Sequence, residues 1–192
     1  MKTLSKILAS LLVAVVLASC GSKWNVRVEI TPEERAAAQT EIADMKSAIK
    51  NFIGPEGEIP NLEIIRLAKA YEKLGEMGSA IDLYNSWLKG NVKTKAIIHN
   101  LGRLYEQVKE YELSVKQYQR IIDEYFDTDY LYDITWAYIH GAQASKGKLA
   151  LDYRKKAEKY FNIWQLEKKK TDEQTQVAIK NLREKEAAAK VK

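Results

Sequence analysis

The chain has 192 residues and a formal net charge of +5; it is 46% hydrophobic and 30% charged, with nine Gly, three Pro and one Cys. Such an apolar fraction excludes a disordered chain, the low Gly and Pro counts exclude a fibrous one, and a single Cys excludes a disulfide framework or a cysteine-based zinc site. The length suits one domain with a real core, and the abundance of Ala, Leu, Lys and Glu predicts helices rather than many short strands.

Residues 1–20 carry Lys2 and Lys6, then an apolar run from Ile7 to Leu17 broken only by Ser10. The run is too short to span a bilayer, which takes roughly 20 apolar residues, and has the layout of a secretory signal peptide. Its end, Leu17-Ala18-Ser19-Cys20, resembles the lipobox of bacterial lipoproteins. The resemblance implies removal of residues 1–19 and a diacylglycerol on the Cys20 sulfur, which as a thioether does no redox or metal chemistry. The alternative is an ordinary signal peptide with an incidental Cys. Two or more acyl chains anchor stably, each buried methylene contributing about 0.8 kcal/mol. Gly21 and Ser22 follow, without the aspartate that favours inner-membrane retention in enterobacterial lipoproteins, so the resemblance leans toward the outer membrane.

Residues 20–30 read as a tether. Trp24, Val26, Val28 and Ile30 alternate with polar residues at strand period, which without a partner strand predicts an extended segment laid on the fold. Residues 31–60 read as a helix and a loop. Thr31-Pro32-Glu33-Glu34 combines a capping box with Pro in the first turn, and the helix is expected to run to about Phe52 and to cap the helices after it. Gly54-Pro55 stops it, and Pro55 to Pro60 reads as a loop.

Residues 61–94 and 95–127 are self-similar at a period of 34. Ile64 pairs with Ile98, Leu67 with Leu101, Ala68 with Gly102, Tyr71 with Tyr105, Ala80 with Ser114, Tyr84 with Tyr118 and Trp87 with Ile121. Leu74 and Val108, and Met77 and Tyr111, keep the same offset. Each unit presents two apolar stripes at helical spacing with a break near Gly75 in the first, which predicts a helix–turn–helix hairpin unable to bury its apolar face alone. Leu67-Ala68-x-x-Tyr71, Leu101-Gly102-x-x-Tyr105, Ala80-x-x-x-Tyr84 and Ser114-x-x-x-Tyr118 resemble the core positions of the tetratricopeptide repeat (TPR). Val92 and Phe126 stand where that repeat usually has Pro. A third unit, 128–168, follows with Leu131, Ile134, Thr135 and Tyr138 at an offset of 33, then Ala157, Phe161 and Trp164. About ten extra residues predict two lengthened helices joined by the polar turn Ser145-Lys146-Gly147-Lys148. Residues 169–192 read as a helical tail, with a capping box at Thr171–Gln174 and a thin stripe of Val177, Ile179 and Leu182, either covering the last repeat or projecting as an arm. The expected fold is all-α: a TPR-like solenoid of about three hairpins, 61–168, with flanking helices.

Lys23 to Leu166 holds 21 basic and 21 acidic residues, so the basic balance comes from the leader and tail, a poor footprint for nucleic acid. Among the motifs no glycine-rich phosphate loop, nucleophile or metal-ligand cluster stands out, and the expectation is no enzyme, no metal and no cofactor. The TPR resemblance implies a concave face lined by the first helix of each unit. Mapped onto this sequence, that face holds Lys69 and Glu72, then His99, Arg103, Glu106 and Gln107, then Tyr132, Trp136 and His140. Trp136 either anchors a ligand or packs under the final hairpin or tail. Arg103 either meets a partner's carboxylate or forms a surface pair with Glu106 or Gln107. The expected function is a lipid-anchored, periplasm-facing scaffold for a protein or peptide of an envelope complex: outer-membrane assembly, secretion or pilus assembly, or a transporter accessory role. The alternative is a small-molecule-binding accessory protein with a pocket between Trp136, Tyr132 and the final hairpin. Oligomeric state is left open.

Overall fold

The computed structural model describes residues 23–51, 61–90, 94–168 and 172–190. The leader with Cys20, the loop Pro55–Pro60, Val92 and Thr171 lie outside the described residues. Among those described, eight helices follow one another: α1 (Pro32–Lys50), α2 (Asn61–Lys73), α3 (Met77–Gly90), α4 (Lys95–Gln107), α5 (Tyr111–Tyr125), α6 (Tyr130–Ala144), α7 (Gly147–Lys168) and α8 (Glu173–Lys190). Helices α2/α3, α4/α5 and α6/α7 form three stacked hairpins, each packed on the next.

Helix α1 starts as its sequence dictates. The Thr31 hydroxyl accepts the Glu34 N–H at 3.1 Å and the Glu34 carboxylate accepts the Thr31 N–H at 2.8 Å, satisfying two amides with no partner within the helix. It ends at Lys50, two residues short of the expected Phe52. Ala38 and Ile42 bury against Leu67, Ala70 and Leu74 of the first hairpin, so α1 caps the open end of the stack.

Within the hairpins, small residues set the interhelical distance. A Cβ on Gly102 would stand 2.6 Å from the Tyr118 ring, and one on Gly141 would stand 2.9 Å from the Tyr153 ring. Ala68, Ala80, Ser114 and Ala157 are fully buried at the matching positions. The large partners Tyr84, Tyr118 and Phe161 fill the space beside them. Thr135 is buried because its hydroxyl donates to the Leu131 carbonyl at 2.8 Å. Where the TPR pattern has Pro, Phe126 instead closes α5 in a left-handed conformation, φ 54°, with its ring 87% exposed.

The third hairpin is lengthened unequally. Helix α7 has 22 residues against 14 in α3 and 15 in α5, whereas α6 exceeds α4 by only two. Only Ser145 and Lys146 separate α6 from α7, so two of the four expected turn residues are already helical. The tail covers the stack: Ile179 is buried, Ala178 and Leu182 pack on the final hairpin, and Arg154 pairs with Glu186 at 2.6 Å. Val177, expected on that stripe, is 49% exposed, because Ala178 and Ile179 turn inward instead. Asp172, whose carboxylate accepts the Thr175 N–H at 2.6 Å, caps α8. No described helix is long and apolar enough to cross a membrane.

The alternating segment Lys23–Ile30 is an extended strap across the hairpin turns. Val26 N–H donates to the Gly75 carbonyl at 2.9 Å, Asn25 accepts the Gly78 N–H at 3.0 Å, and the Trp24 indole donates to Glu110 at 3.1 Å. Gly75 has φ 74°, and a Cβ there would lie 2.1 Å from the Val26 carbonyl oxygen. Gly75→Ala is therefore expected to destabilise by more than about 1 kcal/mol and to free the strap. Urea denaturation reads the first effect and red-shifted Trp24 emission, with the other three Trp replaced by Phe, the second; an unchanged midpoint contradicts the strap's fit.

Candidate partner-binding face

Helices α2, α4 and α6 form one side of the stack, with α2 packed beside α4. Two carboxylates one period apart, Glu72 and Glu106, each reach a nitrogen-bearing side chain on the next first helix, Arg103 and His140 respectively. Glu72 accepts Arg103 through both oxygens, at 3.2 and 3.0 Å. Glu106 lies 2.9 Å from His140 Nδ1, and its other oxygen accepts the Tyr118 hydroxyl at 2.8 Å. Burial, then the Glu106 charge, pushes the Tyr118 hydroxyl far above the usual phenol range. Arg103 thus pairs across the repeat boundary with Glu72 rather than with Glu106 or Gln107, the partners expected from its own helix.

His99 is half-buried between the rings of Tyr118 and Tyr130, at centroid distances of 6.0 and 5.6 Å. Burial, then the Arg103 charge, lowers its pKa, which favours a neutral ring near neutral pH. Its Nδ1 is buried with no hydrogen-bond partner among the described residues. Burial, then the charge of Glu106, raises the Asp133 carboxyl to about 6.

Tyr132, Trp136 and His140 continue the face as a row of rings, with centroids 6.4 and 5.6 Å apart. Trp136 takes neither expected extreme: it is half-buried, packed on the core of the final hairpin and open on its outer side. The space expected as a pocket beside Tyr132 is filled by Trp164, whose ring centroid lies 5.0 Å from that of Tyr132 and which stacks on Phe161. Thr175 of α8 donates its hydroxyl to Tyr132 at 3.3 Å, so the tail closes this end. Lys69 and Gln107 are exposed and His140 is nearly half exposed. All nine mapped residues therefore lie along the first helices, but only part of the set offers free surface.

His140 and Glu106 meet within hydrogen-bond reach on an open face, His140 being 46% exposed. No group of three His, Cys, Asp or Glu suited to a metal ion occurs among the described residues. A shallow trough of about 680 Å³ opens on the opposite side, between Leu88, Val115 and Tyr160. Its rim charges Arg120 and Glu124 are already paired at 2.8 Å. Sequence reasoning missed Asp133, Tyr118 and Tyr130 as part of the face. The 34-residue spacing of Glu72 and Glu106 was the available signal for the cross-repeat pairs.

The fold resembles a solved tetratricopeptide repeat protein from Parabacteroides merdae, with a TM-score of 0.55 and 18% sequence identity. The match covers 80% of this chain but only 61% of that one. No family model and no curated protein matches the chain. The fold is thus a TPR-like helical repeat.

The raised Asp133 pKa has a definite sign. Between pH about 4 and 6 the folded chain holds a proton that the unfolded chain has released, so this group's contribution to stability falls as pH rises through that window. Asp133→Asn removes the effect. Relative to wild type, the variant is expected to gain about 1–2 kcal/mol on going from pH 4 to pH 7.5, allowing for solvent screening. Urea midpoints of both proteins at the two pH values check this; a pH-independent difference contradicts the assignment.

Proposed function

We propose that this chain is a lipid-anchored scaffold of the bacterial envelope, facing the periplasm from the outer membrane and holding a protein or peptide partner in its first-helix face. The observation that carries the scaffold reading is the open surface running across all three hairpins, with Lys69, Gln107, Trp136 and His140 accessible along it. The anchor reading rests on the sequence: a charged start, a short apolar run and Leu17-Ala18-Ser19-Cys20. Tethering raises the effective concentration of the groove near membrane partners. The role among outer-membrane assembly, secretion or pilus assembly, and transport follows from the partner. The small-molecule alternative loses its expected pocket to Trp164.

Trp136→Ala removes an aromatic anchor, and Lys69→Glu with Gln107→Glu changes exposed charge without touching the core. A partner copurified from membranes with the lipidated wild type is expected to be retained at least tenfold less by either variant, in line with hot-spot losses of about 2 kcal/mol. Equal retention by folded variants moves the interface off this face. Cys20→Ser is expected to abolish acyl incorporation, read by mass spectrometry; an unmodified Cys20 in the wild type contradicts the anchor.

A further inference from the structure

The turns α2–α3, α4–α5 and α6–α7 lie on one edge of the stack. The strap touches the first at Gly75 and Gly78 and the second at Glu110. Gly141, near the end of α6, sits against Tyr111 at the start of α5 and Tyr153 of α7, which brings the third turn to the same edge.

This edge carries unpaired positive charge. Lys109 in the second turn, and Lys146 and Lys148 at the third, are exposed and form no ion pair among the described residues. The turn carboxylates are half-buried: Glu76 accepts the Ser79 hydroxyl at 3.4 Å, and Glu110 is taken up by Lys23 at 3.2 Å and by Trp24. On the opposite edge Lys95 is paired with Asp127 and Lys168 with Asp129, whereas Lys50 and Lys89 are exposed and form no ion pair among the described residues.

The third hairpin also projects here. Ser114 and Ala157 share one register position, yet α5 starts three residues before the first and α7 ten before the second. Seven further residues at 1.5 Å each extend α7 by about 10 Å beyond its neighbour. Leu149, 52% exposed, stands on that projection next to Lys148. Finally, the strap pins Lys23 to the second turn, and Cys20 lies only three residues earlier, a span of at most about 11 Å even when fully extended.

We propose that this turn edge docks on an anionic phospholipid bilayer, a conclusion that rests on the lipid-anchor reading. The acylated Cys20 holds the second turn near the headgroups. The projecting third hairpin then supplies a second point of contact, with Lys146 and Lys148 on phosphates and Leu149 at the interface. Two points fix an orientation that one flexible anchor would leave free. The first-helix face stands side-on to the membrane, and the edge carrying Phe126 points away.

The test uses the full lipidated chain on phosphatidylcholine vesicles with and without phosphatidylglycerol. Acylation consumes Cys20, so Ala144→Cys or Asp123→Cys introduces a single thiol for a fluorophore, on the turn edge and the opposite edge respectively. Quenching by headgroup-labelled lipid is expected at position 144, stronger on phosphatidylglycerol, and weak at 123. Lys146→Glu with Lys148→Glu is expected to lower the docked-to-lifted ratio by tenfold or more, each lysine near an anionic surface being worth roughly fivefold. Raised salt acts in the same direction. With Cys20 acylated, equal quenching at both positions, stronger quenching at 123, or indifference to the charge reversal overturns the docking alone. An unacylated Cys20 overturns both the docking and the anchor.

Discussion

The structure depends on how closely the two helices of each hairpin approach. At Gly102 there is no room for even one more carbon beside the Tyr118 ring, and Gly141 stands in the same relation to Tyr153. This contact does more than fill volume. Interiors packed at crystal-like density do not deform continuously, so a fixed small-on-large contact sets the angle of one hairpin and thereby the seat for the next. It also carries the Tyr118 hydroxyl across the hairpin to Glu106, where a buried donor meets a carboxylate on the first-helix face. Core geometry and surface chemistry are linked at that bond.

The cross-repeat pairs act on a different quantity. Arg103 and His140, the partners of Glu72 and Glu106, are 40% and 46% exposed, and contacts so open to solvent contribute about 1 kcal/mol or less to stability. Their effect is on registry: each joins neighbouring first helices and limits sliding between hairpins that are otherwise held by non-directional apolar contact. The ends are treated separately. Helix α1 covers the first hairpin and α8 the last, as a stack of units requires, since a terminal repeat otherwise leaves an apolar face in water. The strap adds a third constraint by tying two turns together through the Val26–Gly75 backbone hydrogen bond, the Asn25 side chain and the Trp24 indole.

The hairpin core was legible because its signal is periodic and local. Ala68/Gly102, Ala80/Ser114 and Tyr84/Tyr118 recur at a fixed offset, and each pair is buried in the fold. The Thr31 capping box was legible for the same reason, all its atoms lying within four residues. The candidate site was only partly legible. Its residues could be assigned to one side of the first helices, but their pairings cross the repeat boundary. Arg103 chooses Glu72, which is 31 residues away and nearer in space than any carboxylate that helix spacing alone would nominate. Trp164 filling the space beside Tyr132 was not legible either, because the length of α7 and the placement of α8 decide it. The strap's hydrophobic alternation revealed an extended chain, while its seat on Gly75 depends on a positive φ that a lone glycine does not announce.

The proposed partner contact falls on the first-helix face, and a crosslink can locate it. Site-specific photo-crosslinking in intact membranes tests it most directly, with a photoreactive residue placed at Gln107 on that face or at Lys116 on the second-helix side, both exposed. A discrete protein adduct is expected from Gln107 and is lost when the probe is moved to Lys116. Adducts from Lys116 with none from Gln107 would contradict it.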